Sequence, residues 1–68
     1  MNFQVEFELE TDGRWIAEIA DLPGVLAYGM SREEALAHVQ ALALRVLAER
    51  LEQGEAAAES LSIRFLTA

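Results

Sequence analysis

The chain reads as an α+β domain of two layers: a mostly antiparallel sheet with one long helix packed on one face, in the order β-β-β-α-β. Three observations predict it. A strict two-residue alternation runs from Asn2 to Glu10, the period of a strand with one buried and one wet face. Ser31-Arg32-Glu33-Glu34 opens a long stretch of apolar residues at helical spacing. Shorter apolar runs bounded by turn residues lie on either side of it. One helix of that length can cover one face of a four-stranded sheet around a single core.

The first strand spans about residues 2–10. Phe3, Val5, Phe7 and Leu9 fall on one face, and Gln4, Glu6, Glu8 and Glu10 on the other. The second set is a row of acids of the kind that discourages edge-to-edge aggregation. Thr11-Asp12-Gly13 then separates two alternating runs, which is a hairpin signal. The return strand covers about residues 14–20, with Trp15, Ala17 and Ile19 on one face and Arg14, Ile16 and Glu18 on the other. Arg14 and Trp15 are expected to meet side chains of the first strand across the hairpin. Asp21-Leu22-Pro23-Gly24 is a tight turn, because proline fixes φ and removes a donor while glycine supplies an unusual backbone angle. A third strand follows over about residues 25–29, with Leu26 and Tyr28 facing one way and Val25 and Ala27 the other.

The helix is expected over about residues 32–53. Ser31 and Glu34 form a capping box, the Ser31 hydroxyl accepting from the Glu34 N–H and the Glu34 carboxylate reaching back to the Ser31 N–H. Glu33 and Glu34 in the first turn suit the helix dipole. Ala35, Leu36, Val39, Leu42, Ala43, Val46, Leu47 and Arg50 trace the broad stripe that meets the sheet. Leu44 and Leu51 lie off its centre on another face, available to a second chain. Gly54 stands where a C-terminal cap belongs. Residues 55–59 read as a short acidic link that frays or extends the helix by a turn. A last strand is expected over about residues 61–66, with Leu61, Ile63 and Phe65 on one face.

Composition narrows the function. Sixty-eight residues make one domain with a modest core. The 53% hydrophobic content is high for that size and points to apolar surface covered by another chain. There is no cysteine, which excludes disulfides and thiolate metal sites and favours a cytoplasmic home. The start lacks the basic and apolar regions of a signal peptide, and no apolar run reaches the length of a membrane span. Twelve acids stand against five arginines and no lysine, for a net charge of −7. That balance opposes binding to a phosphate backbone by this chain alone. It suits either a basic partner, through electrostatic steering, or simple solubility.

The motifs in this order resemble one family. Asp21-Leu22-Pro23-Gly24 ends a hairpin, Tyr28-Gly29 follows, and Ser31-x-x-Glu34-Ala35 opens the helix; Asp12-Gly13 with Trp15 and the acidic first strand lie upstream. Together they resemble the HicB antitoxin family over Phe3 to about Gly54. Ala20 and Val25 depart from that pattern, standing where many members have proline and cysteine. The resemblance implies a truncated ribonuclease-H-like fold without catalytic acids, which binds a small basic HicA toxin and blocks its active site. Many members continue into a DNA-binding region; this chain runs to Ala68, just past the last strand, and no such region is expected in it.

His38, next to the apolar stripe, has only Glu34 nearby in sequence as an orienting partner, so an ordinary surface histidine is expected rather than a base or metal ligand. Glu6, Glu8, Glu10 and Asp12 lie in a line, where a divalent ion needs ligands around a point. A two-metal nuclease would have to add Glu18, Glu33 and Glu34. Ser31 followed by Glu34 is explained by capping. Trp15 serves either the core or a partner. Three readings follow. The first is an antitoxin-type module that also self-associates and meets a basic toxin through Glu6, Glu8, Glu10, Trp15, Asp21, Leu22, Pro23 and Gly24. The second is a solitary homo-oligomer joined through Leu44 and Leu51. The third is a small metal-dependent nuclease. On the first two readings there is no enzyme activity and no cofactor.

Overall fold

The computed structural model describes residues 1–55 and 61–67. Five elements occur in the expected order: β1 (Asn2–Leu9), β2 (Trp15–Ile19), β3 (Leu26–Gly29), α1 (Arg32–Glu52) and β4 (Arg64–Thr67). The sheet order is β3-β2-β1-β4, antiparallel for β1–β2 and β2–β3 and parallel for β1–β4. The helix covers one face. The acidic link expected over residues 55–59 lies, apart from Glu55, outside the described residues.

Each turn has a chemical cause. Glu10 and Arg14 close the first hairpin, with the Glu10 N–H donating to the Arg14 carbonyl at 2.8 Å and the Gly13 N–H to the Glu10 carbonyl at 3.0 Å. Gly13 has φ +90°, the left-handed residue that a three-residue hairpin loop requires. In the second turn the Val25 N–H donates to the Leu22 carbonyl at 3.0 Å. Pro23 and Gly24 stand between them, Gly24 at φ +82°, as in a type II turn.

β1 is an inner strand, flanked by β2 and β4. The acidic row therefore guards no edge, contrary to expectation, and instead lines the open face of the sheet. β4 is shorter at its start than expected. Arg64 pairs with Asn2, where β1 begins, so Leu61, Ser62 and Ile63 lie beyond the ladder. There the Met1 ammonium donates to the Ser62 carbonyl.

The core lies between the helix and the sheet. Phe3 and Val5 from β1, Ala17 and Ile19 from β2, and Leu22 and Val25 from the turn meet Ala35, Val39, Ala43 and Leu47 of the helix. Burying one such valine or isoleucine contributes about 1.5–3 kcal/mol. The closest approach is at Gly29. A Cβ there would lie 2.3 Å from the Ala35 nitrogen, so only glycine lets the helix start against β3. The cap differs from expectation in one bond. The Ser31 hydroxyl accepts from the Glu34 N–H at 3.0 Å, but the Glu34 carboxylate accepts from Met30 rather than Ser31, also at 3.0 Å. The turn before the helix is thereby tied to it. At the far end the Gly54 N–H donates to the Leu51 carbonyl, with Gly54 at φ +75°, the conformation of a helix-terminating glycine.

Candidate functional site

Among the described residues, no element covers the face of the sheet away from the helix. Register places its side chains in rows. Glu8, Ile16 and Tyr28 form one row and Glu6, Glu18 and Leu26 the next. Gln4 pairs with Leu66, and Asn2 with Arg64. Glu6, Glu8 and Glu18 are exposed, as are the large apolar side chains of Leu26, Tyr28 and Leu66. Carboxylates and apolar groups thus share one surface. Glu6 and Glu18 are direct cross-strand partners, a like-charge arrangement that costs stability.

Arg14 frames one end of this face. Its guanidinium lies 4.4 Å from the centre of the Tyr28 ring and 2.8 Å from the Asp12 carboxylate. Its backbone N–H also donates to Asp12, at 3.1 Å. That backbone bond, with the side-chain bond and charge of Arg14 behind it, holds the Asp12 carboxyl below the ordinary aspartate range. Arg14 therefore engages the loop and β3 rather than a side chain of β1, a correction to the expected cross-hairpin pair. Trp15 does oppose Leu9 of β1.

The expected partner residues do not form one surface. Glu6 and Glu8 lie on the open face. Trp15 opposes Leu9 on the other face, partly buried and packed against the core. Glu10 lies past the end of β1 and is partly buried. Leu22 is 2% exposed; it fills the core and cannot serve as a contact, because the turn folds its side chain inward while Asp21, Pro23 and Gly24 stay exposed. Trp15 and this turn lie at opposite ends of β2, about 14 Å apart along the strand. Sequence reasoning missed Ile16, Leu26, Tyr28 and Leu66 as members of the open face. Their period-two positions were legible, but not the register that sets them beside Glu6 and Glu8.

The remaining candidates take structural positions. His38 is exposed, and its Nδ1 lies 2.7 Å from the Tyr28 carbonyl. The carbonyl can only accept, so Nδ1 carries the proton. Ser31 caps the helix. Among the described residues, no three histidine, aspartate or glutamate side chains are placed to hold a metal ion, and no polar or charged side chain is buried. On the helix, Leu44 is exposed and Leu51 partly buried. With Leu47, Ala48, Leu61 and Ile63 they line an apolar cleft of about 200 Å³.

Among the described residues no helix is long and apolar enough to cross a membrane. Comparison with family models, curated proteins and solved structures finds no match to this chain.

Proposed function

We propose that the chain is a non-catalytic interaction module of the HicB antitoxin type, acting in the cytoplasm, and that its open sheet face receives a small basic partner. A HicA-like toxin is the class that the resemblance implies. The observation that carries this reading is the Glu6–Glu18 pair. Like charges directly opposite each other cost about 0.2–1 kcal/mol. An arginine or lysine from a partner, set between them, converts that cost into binding. Ile16, Leu26, Tyr28 and Leu66 add apolar contact area around the acids, and mixed patches of this kind mark protein interfaces.

The test is affinity purification of the tagged chain from its native lysate beside a Glu6→Lys/Glu18→Lys variant. A stoichiometric small basic protein, released by salt and lost with the variant, is the expected result. A partner that the variant retains, or recovery of this chain alone, overturns the reading. The exposed Leu44 and its cleft favour self-association as a second property, compatible with the first because it uses the other side of the molecule.

A further inference from the structure

The helix carries two apolar surfaces. Ala35, Val39, Ala43 and Leu47 are buried against the sheet. Ala41, Leu44, Ala48 and Leu51 recur at steps of three, four and three, the spacing of a seam between two helices. At about 100° per residue this seam lies roughly 140° round the helix from the core stripe. Leu44 is 47% exposed; Ala48 is exposed, and Ala41 and Leu51 partly so.

The order of sizes along the seam selects the partner. Ala41 and Ala48 occupy one heptad position, Leu44 and Leu51 the other. A parallel copy would stack leucine on leucine and alanine on alanine, leaving gaps in every second layer. An antiparallel copy sets leucine on alanine throughout: Leu44 over Ala48 of the second copy, and Leu51 over its Ala41. Each layer then has the same filled volume, which is what close packing between helices needs. The same register brings His38 near Glu52 of the second copy at both ends, and it sets the two helix dipoles antiparallel. Arg45 meets its own counterpart near the axis, where Glu49, one turn along the same helix, offsets the like charge. The cleft bounded by Leu44, Ala48, Leu51, Leu61 and Ile63 lies where Leu44 of the second copy enters.

We propose that a second copy of this chain docks on this seam, forming an antiparallel two-fold dimer. The interface is self-complementary, as a two-fold contact must be. It leaves the open face of each sheet free, so the dimer presents two partner surfaces.

Sedimentation equilibrium of the full chain and four variants tests this. Leu44→Ala opens the layers and Ala48→Leu overfills them; each is expected to weaken association by about tenfold or more. Leu44→Ala/Ala48→Leu exchanges the two sizes and restores leucine on alanine, returning association to within about threefold of the parent. Leu44→Glu, at an exposed position, is expected to abolish association with circular dichroism unchanged, which keeps the test open should Ala48→Leu disturb the fold. A chain monomeric up to ~1 mM overturns the proposal. So do single exchanges without effect, a double exchange no better than its singles, or a dimer that survives Leu44→Glu.

Discussion

Glu6 and Glu18 face each other directly across β1 and β2, on the side of the sheet that the helix leaves open. Both are exposed, and neither gains from the other's charge. Glu18→Arg is expected to raise stability by about 0.5–1 kcal/mol in urea denaturation, because an attractive pair replaces a repulsive one. The same change is expected to weaken the basic partner. A loss of stability would show that the two carboxylates do not repel.

Gly29 permits the approach of the helix to β3. A methyl group there overlaps backbone atoms of Glu34 and Ala35, which cannot swing aside as a side chain can. Gly29→Ala is expected to cost about 2–3 kcal/mol, the upper part of the overpacking range, measured as a lowered urea midpoint. An unchanged midpoint would mean that the helix start shifts freely.

Leu22 separates the core from the surface of the turn. Leu22→Ala is expected to cost about 2–5 kcal/mol, the range for emptying a buried leucine site. Substitution of the exposed Asp21 by alanine should stay within about 0.5 kcal/mol. Equal effects at the two positions would contradict the burial of Leu22.

The helix start depends on reciprocal bonds. Ser31→Ala removes the acceptor for the Glu34 N–H and is expected to cost about 1 kcal/mol. Glu34→Ala frees the Met30 N–H and should loosen the turn after β3 as well as the helix. Amide hydrogen exchange at Met30 would report that second effect, and protection unchanged by Glu34→Ala would refute the tie.

Asp12 links stability to pH. Its folded pKa lies below the unfolded value, so its contribution is present above the unfolded value and is lost as pH falls through the folded one. The urea midpoints of the parent and Asp12→Asn are therefore expected to differ at neutral pH and to converge in acid, below the ordinary aspartate range. A constant difference across that window would show that the Arg14 bonds do not favour the carboxylate.

Much of the architecture was legible in local chemistry. Alternation marked Phe3, Val5 and Phe7 as the inward side of a strand. Asp12-Gly13 and Pro23-Gly24 marked turns, because few other residues reach those backbone angles. Ser31 and Glu34 marked the helix start, and Gly54 its end. The candidate site was less legible. Charge marks Glu6 and Glu8, but nothing local shows that Trp15 lies on the other face of the sheet or that the Leu22 side chain turns into the core.

Local and long-range contacts divide on one physical line. Backbone angles, caps and the two-residue and helical periods arise between neighbours in the chain, so the sequence by itself determined the five elements, their order and the wet face of β1. The place of β1 inside the sheet, the pairing of Glu6 with Glu18 and of Asn2 with Arg64, and the gathering of Leu26, Tyr28 and Leu66 around the acids are contacts between distant segments. They follow from which strands lie side by side and in what register. Only the tertiary structure decided that, because every strand here could form its own hydrogen-bond ladder with more than one neighbour, and burial of the shared core selected among them.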